Sequence, residues 1–456
     1  MSIKRVLLLL IAVAAFSLFA GKVKFITSTD KKDAVYKVGD TITITAKITE
    51  DGKPAVNRKL GYRLMYDQKT IKCGLTEGTE ELTFTVKATH PGWVYLKIFA
   101  FGNSKSEQRY AKMVTIPNRY IRASYSGGIG AMIEPEKLRH SQEEPADFDE
   151  FWNKVKAELA AVPMKELERK DVPEKLLKAA KVQADKFNFS DVKVSCAGGM
   201  PVSGYLAVPK GAKAKSLPAL VTFHGAGVRS ARLSCNNGVI VFDVNAHGII
   251  NGQPEEYYKK LYNEKYTDKK LGTYPRWGKK DRDQFYFKGM YMRVMRALEY
   301  VKSLPEWDGK TLIVSGGSQG GAQVLAACAL DHDITLARAK VPALCDHFAA
   351  KSGRCPGWPQ IINHKMPGEK FEPEKVAACV AYYDGIYFAK RIKCPIYLYT
   401  GFIDTTCPPN GVFAAYNNIP EGVKKSIYCV PTAGHSVPEN LFYKIMQLHI
   451  RKGAKK

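Results

Sequence analysis

The chain has 456 residues, of which 45% are hydrophobic, 11% aromatic and 25% charged. This composition is typical of folded globular proteins and excludes a disordered chain, a collagen-like chain and a protein with many membrane spans. Lysine and arginine number 69 against 44 aspartate and glutamate residues, a formal net charge of +25. Because acidic residues are interleaved with the basic ones, we expect a solvated basic surface and no nucleic-acid partner. At roughly 100–200 residues per domain, the length predicts two or three domains.

The first twenty residues have the pattern of an export signal. Lys4 and Arg5 precede an apolar run over residues 6–16, and the small residue Ala20 follows it. This order predicts a signal peptide over residues 1–20 and a mature protein that is secreted or periplasmic. The apolar run is shorter than the ~20 residues of a membrane-spanning helix, so we expect no membrane span in the mature chain. An uncleaved membrane anchor is the alternative.

Residues 21–118 are predicted to form a small β domain. Polar and apolar residues alternate over residues 41–48, 81–86 and 93–98, and turn signals separate these runs. Such alternation is typical of strands with one buried face and predicts an immunoglobulin-like β-sandwich, which is either a binding or spacer module or a structural appendage. The glycine-rich segment that follows predicts a linker over residues 119–145.

Residues 146–456 are predicted to form a larger α/β domain. Short apolar strands alternate with longer helical segments, as a mainly parallel sheet with helices on both faces requires. The predicted strands are 219–223, 239–243, 311–315, 395–399 and 426–430, and two of the predicted helices are 289–303 and 320–330.

One strand-to-helix junction of this domain carries a nucleophile motif. The run Gly316-Gly317-Ser318-Gln319-Gly320 follows the predicted strand 311–315 and precedes a predicted helix. In this setting, the G-x-S-x-G pattern is the nucleophile elbow of the α/β-hydrolase fold, where a sharp turn exposes the serine. The sequence therefore predicts an α/β-hydrolase fold with Ser318 as its nucleophile.

A serine nucleophile needs a histidine base and an acid, and in this fold the chain order is serine, acid, histidine. Asp404 and His435 each follow a predicted strand, so we expect both at the carboxyl edge of the sheet beside Ser318. Asp346 and Asp384 are the alternative acids. The other candidate histidines either precede the serine or lack a strand end, and a surface or core role is the default for them: they are His224, His247, His332, His347, His364 and His449.

Ester cleavage also needs two backbone amides that stabilise the oxyanion. The elbow fixes one of them as the amide of Gln319, the residue after the nucleophile. The second is expected in the turn after strand 219–223, where we choose the amide of Ala226.

The segment between residues 251 and 284 is dense in tyrosine, tryptophan and lysine. It is predicted either to cover the active site and stack on sugar rings, or to be a solvated or oligomer-forming excursion. From this segment Trp277 is a candidate substrate contact, together with His224 and His247. The cysteines form no CxxC pair, and we expect no metal and no cofactor.

Several segments resemble one esterase family. The elbow Gly317–Gly321, the run Asp404–Pro409 and the entry segment Pro145–Trp152 are similar to those of the acetyl xylan esterase and cephalosporin C deacetylase family. The resemblance extends from about Gly130 to the end of the chain and does not include the β-sandwich.

The resemblance implies a carbohydrate esterase that removes acetyl groups from acetylated polysaccharides or oligosaccharides through an acetyl-serine intermediate. Ser318, Asp404 and His435 are its implied catalytic residues. The chain departs from the family pattern at Ala226, where a tyrosine is usual, and at residues 245–248, where Arg-Gly-Gln is usual. These departures leave open the acyl-size limit and whether the chain forms a homo-oligomer.

Two other functions stay open because a scaffold does not fix its substrate. One is a different hydrolase on the same fold, such as a glucuronoyl esterase or a dipeptidyl-peptidase-like enzyme. The other is a carbohydrate-binding protein without catalytic activity.

Overall fold

The computed structural model describes residues 22–117, 125–269, 272–362, 364–365, 368–438 and 441–453. The signal peptide predicted over residues 1–20 lies outside the described residues. Residue contacts divide the chain into two compact units, and the division falls between Glu134 and Pro135. In the part of the chain that the structure describes, we find no helix with the length and hydropathy of a transmembrane segment.

The first unit is a β-sandwich of two sheets. The four-stranded sheet contains β1 (Val23–Thr29), β3 (Thr41–Glu50), β4 (Lys53–Pro54) and β7 (Leu82–Lys87), and the five-stranded sheet has the order β2 (Val35–Tyr36), β9 (Tyr125–Ile133), β8 (Gly92–Phe101), β5 (Lys59–Tyr66), β6 (Lys69–Glu77). One helix, α1 (Lys105–Met113), precedes β9. Alternate residues of β3, such as Ile42 and Ile44, are fully buried, as the period-two pattern predicts.

The structure differs from the predicted linker over residues 119–145. Within that segment, Tyr125–Ile133 is a strand that pairs antiparallel with β8 throughout its length. Its glycines permit close packing, because a Cβ on Gly127 would lie 2.6 Å from Cγ of Phe25 on β1. A glycine-rich run that resembles a flexible connection in the sequence is therefore a strand against which a large side chain packs.

The second unit is built on one nine-stranded sheet. Its strand order is β10-β11-β12-β14-β13-β17-β18-β19-β20, antiparallel from β10 to β14 and parallel from β14 to β20. The strands are β10 (Glu166–Asp171), β11 (Phe187–Val194), β12 (Val202–Pro209), β13 (Leu217–Phe223), β14 (Ile240–Asn245), β17 (Trp307–Gly317), β18 (Leu336–Lys340), β19 (Ile396–Gly401) and β20 (Lys425–Val430), and a separate hairpin consists of β15 (Thr267–Asp268) and β16 (Gly272–Thr273).

Helices precede and connect the strands of this sheet. They are α2 (Phe148–Ala160), α3 (Glu174–Ala180), α4 (Glu255–Lys265), α5 (Tyr286–Ser303), α6 (Gln319–Leu330), α7 (Pro373–Val380), α8 (Gly385–Ala389), α9 (Pro409–Asn418) and α10 (Phe442–Gly453). The central strand β17 lies in the hydrophobic core, where its residues Leu312, Ile313 and Val314 have no exposed surface. The carboxyl ends of β17, β19 and β20 bring three separate loops to one edge of the sheet.

Candidate active site

Ser318 lies in a sharp turn between β17 and α6. Its backbone has φ 58° and ψ −122°, a region that side-chain-bearing residues rarely occupy. The turn is held by neighbouring segments, since the Ser318 amide donates to the Lys340 carbonyl at 2.9 Å and the Ser318 carbonyl accepts from the Ala343 amide at 3.0 Å. These bonds offset the strain and fix the direction of the serine side chain.

The glycines of the elbow are needed for close backbone approach. A Cβ on Gly320 would lie 2.0 Å from the Phe223 carbonyl oxygen, and a Cβ on Gly316 would lie 2.3 Å from the Gly320 carbonyl oxygen. Both distances are far below van der Waals contact, so α6 can begin this close to β13 only without side chains at these positions.

The structure brings Ser318, His435 and Asp404 together in one hydrogen-bonded chain. His435 Nε2 is 2.9 Å from Ser318 Oγ, and His435 Nδ1 is 2.8 Å from Asp404 Oδ2. Because an ionised carboxylate can only accept, Nδ1 carries the proton and Nε2 is free to accept from the serine hydroxyl. The Asp404 side chain is fully buried, whereas that of His435 is 36% exposed and reaches the open side of the site.

Asp404 is held by the loop that follows it. Its Oδ1 accepts hydrogen bonds from the backbone amides of Thr406 at 2.8 Å and Cys407 at 3.0 Å, while Oδ2 faces the imidazole. Amide donors stabilise the ionised form of a carboxylate and prevent rotation of its plane. The loop therefore presents one oxygen in a fixed position to His435.

Cys407 is a neighbour of the triad for which the sequence predicted no role. Its thiol is buried, and burial together with the Asp404 charge raises its pKa well above the ordinary value, so it stays protonated. Asp404, Cys407 and His435 form the one group with metal-ligand spacing among the described residues. Because both ring nitrogens of His435 are in hydrogen bonds, this geometry suits proton transfer better than metal coordination.

The loop predicted to supply the second oxyanion amide lies beside the nucleophile. A Cβ on Gly225 would be 3.4 Å from Cβ of Ser318, which places the turn 224–227 directly against the elbow. Ala226 is exposed at the tip of this turn, and Gln319 is fully buried at the first position of α6. Gln319 therefore follows Ser318 directly, and Ala226 belongs to the turn that packs against the elbow.

Tyr274 joins the two segments that carry these residues. Its hydroxyl donates to Oε1 of Gln319 at 2.7 Å and accepts from the Gly227 amide at 3.3 Å. Tyr274 belongs to the aromatic segment 251–284, and in the sequence only the density of aromatic residues marked this segment. Through Tyr274, the segment supports the elbow.

Two histidines support the same loop: His224 is part-buried and His247 is buried. His224 Nε2 accepts from the Ala246 amide at 3.2 Å, while its Nδ1 donates to the Gly225 carbonyl at 2.7 Å. Burial, with the nearby Arg229 charge, lowers the pKa of His224 to about 4. His224 therefore stays neutral, and its ring links the backbone of Gly225 to that of Ala246.

His247 has no exposed surface, which does not fit the direct substrate contact expected from its strand-end position. Its Nδ1 accepts from the Tyr286 hydroxyl at 2.6 Å and its Nε2 donates to the Gly227 carbonyl at 3.3 Å. Burial lowers the pKa of His247 far below its ordinary range. Its neutral ring is thus part of the scaffold behind the loop.

Trp277 lines a cavity that does not include Ser318. It stacks on Tyr266 with ring centroids 5.9 Å apart, and its Nε1 donates to the Gly272 carbonyl at 3.0 Å. The cavity has a volume of about 940 Å³, and no triad residue lies in its wall.

The alternative acids have structural partners. Asp384 accepts from the backbone amides of Asp346, His347 and Ile386 at 2.7–3.0 Å. Asp346 forms a buried ion pair with Arg354 at 2.8 Å. Burial raises the pKa of each carboxyl to about 6. His435 is not a partner in these hydrogen bonds or in this ion pair.

Comparison with known proteins agrees with this site. A family model described as acetyl xylan esterase matches residues 132–450. The chain belongs to the acetyl xylan esterase family. This is a family of hydrolytic carbohydrate esterases, and membership confirms the resemblance drawn from the sequence motifs.

The relatives show how far the similarity extends. An acetyl esterase of Xylanibacter ruminicola is 33% identical over 305 residues, which are 66% of this chain and 66% of that relative's length. The solved acetyl xylan esterase of Paenibacillus sp. R4 is 26% identical, with a TM-score of 0.57 over 70% of this chain and 98% of its own. Acetyl xylan esterase 1 of a Thermoanaerobacterium species is 25% identical, with a TM-score of 0.54 over 70% and 97%. These likenesses confirm the predicted α/β-hydrolase fold.

Proposed function

We propose that this member of the family is a serine esterase that removes acetyl groups from acetylated polysaccharides or oligosaccharides. The observation that carries the proposal is the continuous hydrogen-bonded chain from Ser318 Oγ through the His435 ring to Asp404. The names of the relatives, an acetyl esterase and two acetyl xylan esterases, support acetyl groups on xylan as the substrate class.

The first half of the reaction forms an acetyl-enzyme. His435 Nε2 takes the proton of the Ser318 hydroxyl as Oγ attacks the acetyl carbonyl carbon, and Asp404 stabilises the imidazolium that results. The carbonyl oxygen becomes an oxyanion, which the amides of Gln319 and Ala226 stabilise. His435 then returns its proton to the departing sugar oxygen, the ester bond breaks, and acetyl-Ser318 remains.

The second half releases acetate. A water molecule enters above the acetyl-serine and gives a proton to His435 Nε2 while its oxygen attacks the carbonyl carbon. Collapse of the second tetrahedral intermediate breaks the bond to Ser318 Oγ, which takes the proton back from His435. Each step uses side chains and backbone amides of the chain and needs no metal or cofactor.

We further propose that the protein is exported. Residues 1–20 act as a cleaved signal peptide, since a charged start, an apolar run and a small residue occur in the required order. A polysaccharide substrate is consistent with activity outside the cytoplasm. The β-sandwich is then carried into the same compartment as a spacer or binding module.

Two measurements test the proposed reaction. A fluorophosphonate probe should label Ser318, located by mass spectrometry of the labelled peptide, whereas a protein that only binds carbohydrate would not react. A substrate panel then separates hydrolase classes: acetylated xylan should release acetate, while a glucuronoyl methyl ester and a dipeptide p-nitroanilide should not be cleaved. Cleavage of either of the last two substrates in preference to acetylated xylan would contradict the proposal.

A further inference from the structure

A second concave site lies in the α/β unit, where its wall includes Tyr286, the hydrogen-bond partner of His247. It is a cavity of about 940 Å³, whose wall includes the rings of Tyr257, Tyr266, Trp277 and Tyr286. A volume of this size is in the range of small-molecule binding sites, which combine apolar walls with a few polar groups. None of the residues assigned to ester cleavage lines it.

One wall of this cavity carries a buried cation. Arg293 on α5 is only 3% exposed, and its Nε and Nη2 donate to the Ala246 carbonyl at 3.1 and 3.0 Å. Among the described residues, no carboxylate lies within ion-pair distance of Arg293, and its Nη1 has no hydrogen-bond partner. A buried guanidinium without a counter-ion is unfavourable, and an anionic ligand would supply the missing charge.

The small residues around Arg293 keep this donor accessible. Gly198 and Gly289 both line the cavity, and a Cβ on Gly289 would lie 3.5 Å from Arg293 Nη1. A larger side chain at position 289 would cover the guanidinium. The opening beside Nη1 is therefore suited to a planar acceptor with two oxygens.

The remaining charges of the wall leave an excess of positive charge. The two carboxylates of the wall, Glu158 and Asp283, both pair with Lys288, at 2.8 and 3.3 Å. Lys193 is paired with a glutamate outside the cavity at 2.6 Å. Lys265, at the end of α4, takes part in no ion pair among the described residues, so it and Arg293 remain uncompensated.

The aromatic side chains complete the recognition surface. Tyr257 and Trp277 are part-exposed, and stacking on the buried Tyr266 ring, with 14° between the ring planes, holds the Trp277 ring in place. Flat aromatic faces of this kind suit the C–H faces of sugar rings. We propose that this cavity binds a carboxylate-bearing saccharide, with its carboxylate on Arg293 and a sugar ring against Trp277 and Tyr257.

This assignment goes beyond the proposed esterase function, because it concerns binding at a site without a nucleophile. The two sites share one support: Tyr286 lines the cavity, and its hydroxyl donates to His247, which in turn donates to the Gly227 carbonyl beside the elbow. The cavity is therefore an accessory site that holds an acidic substituent of a saccharide chain.

Calorimetric titration of the full chain carrying Ser318→Ala tests the assignment without turnover. The probes are xylotetraose with one glucuronic acid branch, unbranched xylotetraose, and sodium acetate. We expect the branched acid to bind at least tenfold more tightly than either control, with affinity that falls as ionic strength rises. Equal affinity of the two oligosaccharides, or of the branched acid and acetate, would overturn the proposal.

Variants at the rim and in the wall make the test specific. Ile250 lines the cavity and is 47% exposed. In Ile250→Glu, the new carboxylate should compete for Arg293 and weaken binding of the branched acid at least fivefold. Ile250→Gln, whose side chain has the same shape as glutamate without the charge, should have little effect. Arg293→Gln, with folding checked by circular dichroism, should abolish the preference for the acid. Identical binding by the Glu and Gln variants would contradict the assignment.

Failure of this assignment can be distinguished from failure of the esterase function. Hydrolysis of p-nitrophenyl acetate by the unsubstituted chain reports on Ser318 alone. A chain that cleaves this ester but shows no preference for the branched acid retains the esterase function and loses only the accessory site.

Discussion

The hydroxyl of Tyr274 donates to the side-chain oxygen of Gln319 at 2.7 Å. The same hydroxyl accepts from the Gly227 amide. One buried tyrosine therefore links the elbow to the turn 224–227, which lies some ninety residues earlier in the chain. Burial raises the pKa of Tyr274 well above its ordinary value, which keeps the hydroxyl protonated and able to make both bonds. The positions of both proposed oxyanion amides therefore depend on a residue that does not face the substrate.

Tyr274→Phe should lower kcat by roughly tenfold with little change in KM. Removing the hydroxyl leaves Gln319 Oε1 and the Gly227 amide without this partner, which loosens donors that act mainly in the transition state. Steady-state kinetics with p-nitrophenyl acetate measures the effect. Tyr262→Phe, in the same aromatic segment, is the control and should behave as the wild type. A change confined to KM would contradict the positioning role.

Gly320→Ala should destabilise the fold by roughly 3 kcal/mol, because its Cβ would overlap the Phe223 carbonyl oxygen at 2.0 Å. Gly317→Ala is the matched control within the same elbow, since the nearest atom to its Cβ, the Lys340 carbonyl oxygen, is 3.8 Å away. Urea denaturation of both variants measures the difference. Equal stability of the two would show that the elbow backbone relaxes more easily than the distances indicate.

His224 should make the fold sensitive to acid. Its pKa in the folded state is about 4, below the value of 6.5 for an unperturbed histidine, so the unfolded chain takes up the proton first as the pH falls. The contribution of neutral His224 to stability is therefore complete above pH 6.5 and is lost as the pH falls toward 4. Buried Asp243 and Asp384, whose pKa values are raised to about 6, act in the opposite direction.

Comparison of the wild type with a His224 variant separates the effect of His224 on stability from the effects of these acids. The loss in free energy of unfolding between pH 7 and pH 5 should be smaller in His224→Gln than in the wild type by on the order of 1–2 kcal/mol. Denaturation curves at both pH values test this. An identical loss in both proteins would mean that His224 is protonated in the folded state at pH 5.

Cys407 should resist thiol reagents despite its place beside the triad. Its buried thiol has a strongly raised pKa, and only the thiolate reacts with iodoacetamide. Treatment of the native protein at pH 8 should therefore leave esterase activity intact and Cys407 unmodified by mass spectrometry. Denatured protein, in which all ten cysteines are free thiols, is the positive control. Rapid inactivation with modification of Cys407 would contradict the burial of this site.

The elbow was predictable because its chemistry is local. The run around Ser318 combines an apolar strand, close-approach glycines and a helix in consecutive residues, and the structure has these elements at Trp307–Gly317 and Gln319–Leu330. Asp404 and His435 were predictable from strand ends, since parallel strands place their carboxyl ends at one edge. In the structure, His435 is hydrogen-bonded both to Asp404 and to Ser318.

Features that depend on long-range packing were not predictable in the same way. The strand Leu336–Lys340 carries a buried Arg338, whose guanidinium lies over the Phe442 ring at 4.9 Å, so its sequence lacks the apolar run that marks a parallel strand. The burial of His247 and the bridge made by Tyr274 arise because the segment 251–284 folds behind the elbow. Only the tertiary structure decides on which side of the site such a segment lies.

Acetate release from acetylated xylan by the Ser318→Ala variant, measured beside Cys407→Ala, is the most direct test of the mechanism. Loss of the Ser318 hydroxyl removes the nucleophile, so turnover should fall by about 10³-fold or more, while Cys407→Ala should keep activity within tenfold of the wild type. Wild-type-like release by Ser318→Ala, or loss of activity in Cys407→Ala alone, would contradict the assignment of the nucleophile.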